Sequence, residues 1–246
     1  VSRVNWIAAC LFVLAVPLVL VTASVTWAFN SPGLYSRGFE KYSVSLATGI
    51  TAADLRQAGV DIRRYFNSGD EPLVLQARIL GVEQEIFNAR EVQHMGDVKR
   101  LVRGVYAVLA GSGAYLLATA AAGFLWRRRR FVTPLAGLCL GGGGLTVGLV
   151  LGVGLMAVAG FDTLFLTFHR LSFSNDFWLL DPRTDYLVMM FPQGFWLDAT
   201  LLVATLTGAG ALALTALSGS YLLYRRWRGL AHTQAQALKL EEVSEV

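Results

Sequence analysis

Two of the three histidines in this 246-residue chain stand in settings suited to proton transfer. His94 lies in FNAREVQHMGDVKRLV, residues 87–102. Glu91, His94 and Asp97 step three residues at a time there, so on a helix neighbours in the set lie adjacent on one face. A carboxylate beside a histidine can fix its tautomer and raise its basicity. The bland alternative is a solvated polar turn, with Glu91 and Asp97 as surface charge among Arg90, Lys99 and Arg100. His169, followed by Arg170, lies in an aromatic-rich stretch, residues 161–198, that also holds Asp162, Asp176, Asp181 and Asp185. Phe161, Phe165, Phe168 and His169 recur at helical spacing, which predicts a helix carrying His169 out of an apolar run to headgroup level. Ionisable groups at such depth are costly and mark functional sites. Phe173, Phe177, Trp178, Phe195 and Trp196 suit interfacial anchoring or contact with lipid. Asp181-Pro182, Asp185 and the run from Phe191 to Trp196 predict a loop re-entering the bilayer edge.

Other chemistries fit less well. Neither histidine belongs to an HxxxH or HExxH pair, so no metal site is predicted, although two histidines with several carboxylates leave a metal-dependent lipid hydrolase as an alternative. Cys10 and Cys139 sit inside apolar runs and read as small core residues. There is no GxSxG turn, P-loop or GxGxxG fingerprint. The net charge of +4 does not point to nucleic acid, because the basic residues cluster beside apolar runs. If the chain is an enzyme, histidine general acid/base chemistry on a lipid-borne ester or phosphate fits best. A non-enzymatic binding or assembly protein is the alternative from another class. A transporter is disfavoured by the near absence of ionisable residues at span midpoints.

The elements that must position these groups are membrane helices. The chain is 54% hydrophobic and 15% charged, with mean hydropathy +0.51, against roughly 25% charged residues in ordinary soluble domains. Apolar runs predict a single membrane domain over 1–246, with spans at about 6–29, 104–126, 131–160 and 199–224. The first run exceeds the length of a signal-peptide core and reads as an uncleaved anchor. The third is read as interrupted by Pro134 and Gly141–Gly144, with Gly144, Gly148 and Gly152, and Gly137 and Gly141 before them, as close-packing positions. The only short basic loop, Arg127–Arg130, belongs in the cytoplasm. Arg3 and the cluster Arg225, Arg226 and Arg228 then fall on the same side. Both termini are cytoplasmic, and regions 30–103 and 161–198 share the outer face. In the first of these regions, Tyr35, Phe39, Tyr42, Leu46 and Ile50 suggest one amphipathic helix, and Thr51 with Asp54 a capped second helix. Leu73, Leu75, Ala77 and Ile79 suggest a short strand. Asn88 with Glu91 forms a capping-box pattern opening the helix that carries His94. The tail, 225–246, is expected to be disordered. The fold class is thus an all-α membrane protein of four transmembrane helices with a mostly helical extracytoplasmic insertion.

FxxREVQHMxDVK before the second span, and FHRLSF…DFWLLDP…D…MMFPQGFW between the third and fourth, resemble the lipoprotein intramolecular transacylase family over nearly the whole chain in element order. The resemblance implies a bacterial cell-membrane enzyme facing outward. Its substrates would be diacylglyceryl-modified lipoproteins among membrane lipids. It would move the sn-2 acyl chain to the α-amino group of the lipid-bearing N-terminal cysteine, giving a lyso-form lipoprotein. It further implies that His169 and His94 line the site and that no cofactor takes part. Glu91, Asp97, Arg170, Asp181 and Asp185 are the supporting candidates. Phe165, Phe173, Trp178, Phe191, Phe195 and Trp196 are the candidates for contact with substrate lipid.

Overall fold

The computed structural model describes residues 3–244, with side chains from 6 to 230. The charge of Arg3 and the side chains after 230 therefore lie outside the described residues. Among the described residues, eight α-helices and one β-hairpin follow in order: α1 Arg3–Asn30, α2 Pro32–Lys41, α3 Val44–Thr48, α4 Ala52–Asn67, β1 Gln76–Ile79, β2 Val82–Glu85, α5 Ala89–Arg127, α6 Val132–Ser172, α7 Tyr186–Met190 and α8 Gln193–Ser244. A 3₁₀ turn, Arg128–Phe131, joins α5 to α6. Among the described residues, three helical stretches are long and apolar enough to cross a membrane: Trp6–Asn30, Ala89–Ser172 and Gln193–Leu230. The chain is an all-α membrane protein.

Its residues fall into two compact units. The first comprises Val1–Leu20, Gly111–Leu149 and Gly208–Val246. Of the expected close-packing glycines, Gly141 meets Val13 at ordinary contact distance, 3.5 Å, and the tightest approaches fall on its neighbours. A side-chain carbon at Gly142 would lie 2.6 Å from Cβ of Val16, and one at Gly143 would collide with Thr215. Gly144 and Gly148, and likewise Gly152, have no described neighbour within 4 Å. Small residues thus admit close approach, but on the face of Gly142 and Gly143. The expected interruption of this helix is also absent. Pro134 sits in the first turn of α6, where no intrahelical donor is required, and Gly141–Gly144 are helical throughout. A break falls instead at Gly160, whose backbone is extended (φ −179°, ψ 79°). The predicted disordered tail is helical through Ser244. Beyond Gly229 it contains neither Gly nor Pro and is rich in Ala, Leu, Gln, Lys and Glu, which favour helix.

The second unit comprises Val21–Ala110 and Val150–Thr207. Its core gathers Tyr35, Phe39, Leu55, Ile62, Tyr65, Leu187, Met190, Phe191 and Phe195. The helix expected from Tyr35 to Ile50 is broken in two. Lys41 Nζ and Tyr42 Oη donate to Asp198 Oδ2 at 2.6 and 2.8 Å, and the chain reverses at Ser43 (φ 49°). Both local caps form as expected. Thr51 Oγ1 accepts from the Asp54 amide at 3.1 Å. Asn88 and Glu91 bond reciprocally, Asn88 N to Glu91 Oε2 at 2.7 Å and Glu91 N to Asn88 Oδ1 at 3.1 Å. The alternating residues Leu73, Leu75, Ala77 and Ile79 are all buried, and β1 pairs antiparallel with β2.

Gly38 is where α2 meets the first turn of α8. A methyl there would sit 2.5 Å from the Phe195 ring. Overpacking of this kind costs about 1–3 kcal/mol. Gly38→Ala is accordingly expected to lower the melting temperature in detergent, checked by thermal denaturation beside the control Gly33→Ala, where a methyl would meet only Ser31 Oγ at 3.8 Å.

Candidate active site

The two histidines meet in the second unit. His94 lies in the second turn of α5, and His169 lies near the end of α6, beyond the break at Gly160. Their ring centroids are 6.0 Å apart, and only 6% of His94 and 8% of His169 is exposed. Aromatic rings enclose them. Phe165, Phe168, Trp178 and Phe173 lie 4.3, 5.3, 5.2 and 5.6 Å from His169, and Phe173 is 5.0 Å from His94.

Hydrogen bonding distinguishes the two imidazoles. His169 Nδ1 lies 2.8 Å from the carbonyl of Phe165. A carbonyl only accepts, so Nδ1 carries the proton, and in the neutral ring Nε2 keeps its lone pair. His94 Nδ1 is buried with no hydrogen-bond partner among the described residues, which makes it a group that a bound polar atom would satisfy. Burial pushes the His94 imidazole down to about 4; nearby His169 adds to this and Asp97 opposes it. Burial also holds His169 below the usual imidazole value, against the Phe165 carbonyl. Both rings are therefore neutral at pH 7.

Below pH 6.5 an unfolded His94 binds a proton that the folded one refuses until about pH 4. Stability is full above 6.5 and falls as pH drops through that window. Loss of the folded state on acidification from pH 6.5 to 4 is expected to be shallower in His94→Gln than in the parent, measured by thermal melts in detergent.

The remaining candidates occupy distinct places. Glu91, 1% exposed, accepts from the backbone amides of Asn88 and, at 2.6 Å, Leu187. Burial raises its carboxyl above the ordinary carboxylate range, outweighing those two donors. Asp97 is buried and paired with Arg100; it accepts from Asn175 Nδ2 at 2.8 Å. Asp185 accepts from Asn88 Nδ2 at 3.0 Å and from the Asp181 amide at 2.7 Å. Asp181 pairs with exposed Arg183, whose guanidinium draws its carboxyl down to about 2. Arg170 is exposed. Of the aromatic candidates, Phe165, Phe173 and Trp178 surround His169, and Trp196 stands 6.4 Å from Phe165. Phe191 and Phe195 are instead core residues beside Phe39 and Gly38. The expected re-entrant loop there is replaced by α7 and the start of α8, whose rings face the core.

Sequence reasoning missed Lys99 and Asn175. Lys99 is 0% exposed; its ammonium donates to the Asp70 carbonyl and lies 3.9 Å from the Tyr65 ring centroid. Arg103 donates to the Ser68 carbonyl at 2.7 Å, so α5 holds the turn after α4 twice. Read along the helix, Lys99 was indistinguishable from its charged neighbours. No group of three or more His, Cys, Asp or Glu able to hold a metal ion occurs among the described residues.

Fold and site together define an all-α membrane protein whose two histidines meet from near the two ends of the long helical stretch Ala89–Ser172. The chain belongs to the lipoprotein intramolecular transacylase (Lit) family, whose pattern matches residues 10–196. It is similar to the membrane-integral lipoprotein intramolecular transacylase of Bacillus cereus, with TM-score 0.75 and 16% identity over 93% of this chain and 100% of that one. Two forms of that protein, with one histidine replaced by arginine or by alanine, also match, each with TM-score 0.70 and 16% identity. These cover 92% of this chain, and 95% and 96% of theirs. An uncharacterized protein of Aquifex aeolicus (strain VF5) is 28% identical over 121 residues. That match spans 49% of this chain and about half, 51%, of the relative.

Proposed function

We propose that this chain is an intramolecular acyltransferase of a bacterial cell membrane. It forms a single membrane domain over 1–246, crosses four times with both termini in the cytoplasm, and presents its histidines outward. The stretch Ala89–Ser172, 84 residues long, is far longer than the roughly 20 residues one crossing needs and has room for two. The Arg127–Arg130 turn in its middle suits the cytoplasmic side. The substrate is a diacylglyceryl lipoprotein, and the product is its N-acyl, monoacylglyceryl (lyso) form.

The observation that carries this reading is the unshared Nε2 of a neutral His169 with a second neutral imidazole 6.0 Å away, inside an aromatic enclosure. An α-amine with pKa near 7.7–8.0 is largely protonated at neutral pH and needs its lone pair freed. His169 Nε2 takes a proton from the amine as the nitrogen bonds to the sn-2 ester carbonyl. The tetrahedral intermediate collapses with cleavage of the carbonyl–glyceryl oxygen bond, and His169 returns the proton to that oxygen. Counted from the ammonium, the sum is ester plus ammonium to amide plus alcohol, with the second nitrogen proton released to solvent. His94, as a donor, stabilises the oxyanion. Nucleophile and ester belong to one molecule, so the protein's main task is to orient them. Phe165, Phe173 and Trp178 offer the apolar surface on which acyl chains lie.

The test is mass spectrometry of a lipoprotein N-terminal peptide, co-expressed with this chain in a host lacking N-acylation enzymes. An N-acyl, monoacylglyceryl peptide dependent on the chain is expected. An unchanged diacylglyceryl peptide would overturn the acyltransferase reading in favour of a non-enzymatic binding protein.

A further inference from the structure

We propose that the tip of the β-hairpin, together with α3, forms an apolar foot resting on the outer-leaflet surface, a lipid contact separate from the spans. Two observations single it out. Leu80 and Gly81 connect β1 to β2 with φ of 52° and 89°, as in a type I′ turn. The first position of that turn is favoured by Asn, Asp or Gly. Leucine there is strained, and yet Leu80 is 86% exposed. A strained, exposed, bulky apolar residue at a hairpin tip contributes little to folding. Leu46, 88% exposed on α3, lies one turn before Gly49. The Leu80 amide donates to the Gly49 carbonyl at 3.1 Å, and the Leu80 side chain covers the Gly49 backbone. Val82, 64% exposed, flanks the same turn.

Chain geometry says what covers this patch. α2 begins directly after α1, at the end of the apolar stretch Trp6–Asn30. Its other end is held by Lys41 and Tyr42 on Asp198, in the first turns of the apolar stretch of α8. With both ends fixed to the ends of spans, α2 lies along the membrane surface. Leu46 is four residues beyond Tyr42, which even fully extended cannot exceed about 14 Å. The headgroup zone is itself roughly 5–7 Å deep. Leu46, Ala47, Leu80, Gly81 and Val82 carry no charge, whereas Arg78 and Glu83, opposite each other in the ladder, mark where the hairpin turns polar. A lipid surface fits an uncharged tip at that height.

The proposal rests on α8 crossing the bilayer, and its test separates the two. Single cysteines at Leu80, Leu46, Glu83 and Leu212, in a Cys10→Ala, Cys139→Ala background, would carry nitroxide labels in phosphatidylethanolamine/phosphatidylglycerol vesicles. Collision with oxygen would be compared with collision with a water-soluble nickel chelate. Oxygen is expected to dominate at 80, 46 and 212, and the chelate at 83. Chelate dominance at both 80 and 46, with oxygen dominance at 212, would overturn the foot and leave the span standing. Exclusion of both reagents at 80 and 46 would also overturn it, in favour of a protein partner or second copy. Chelate dominance at 212 would overturn the span, and the foot with it.

Discussion

His169→Gln is expected to reduce N-acylation of a lipoprotein substrate by about 10²–10⁴-fold, the range over which a positioned general base acts. Glutamine can still donate to the Phe165 carbonyl, so the local hydrogen bond survives while the basic lone pair is lost. His94→Gln keeps a donor of shorter reach, and its loss should be smaller, about 10²–10³-fold at most. Both are measured by mass spectrometry of the modified peptide, with thermal melts confirming that each variant is folded. Retained activity in both variants would sink the scheme. The acid side of the activity profile gives an independent check. Because burial holds His169 below the usual imidazole value, activity should persist as pH falls to 6.5 and decline only below it.

Glu91→Ala is expected to be the most destabilising replacement in the site. It strands the buried Leu187 amide and the part-buried Asn88 amide. An unsatisfied buried donor costs about 1–3 kcal/mol, so a loss of roughly 2–6 kcal/mol follows if both go unpaired. Glu91→Gln keeps one acceptor and should fall between alanine and the parent in a detergent melt. An unchanged melting temperature for the alanine variant would show that these amides find other partners.

What could be read from the sequence was whatever local chemistry decides. The caps at Thr51 and Asn88, the alternation from Leu73 to Ile79 and the helical spacing that carries His169 all depend on residues within a turn of one another. Misreadings came where a distant residue decides. The break after Tyr42 accompanies a bond to Asp198, 156 positions away. Phe191 and Phe195 have the composition of interfacial anchors, but Gly38 leaves room for a ring and draws Phe195 into the core. Lys99 reads as surface charge, and only the turn after α4 buries it. The pairing of His94 with His169 had no local signal: 75 residues separate them in the sequence.

The extended backbone at Gly160 has a consequence for stability. It interrupts the hydrogen-bond ladder of α6, so the helical segment from 161 to 172 is not simply a continuation of the apolar helix before it. The residues that follow are fastened instead to α5, by Arg90 to the Asp176 carbonyl, Asp97 to Asn175, Asn88 to Asp185 and Glu91 to Leu187. Cooperative units in a protein follow such boundaries. The segment bearing His169 should therefore exchange its amide hydrogens together with the 173–187 loop, as one subglobal opening. Weakening any of the four ties would raise that opening's population while the apolar helices keep their protection. The geometry of the paired histidines and the membrane scaffold would then differ in their sensitivity to mutation, and a variant could be inserted and folded yet hold its two imidazoles apart.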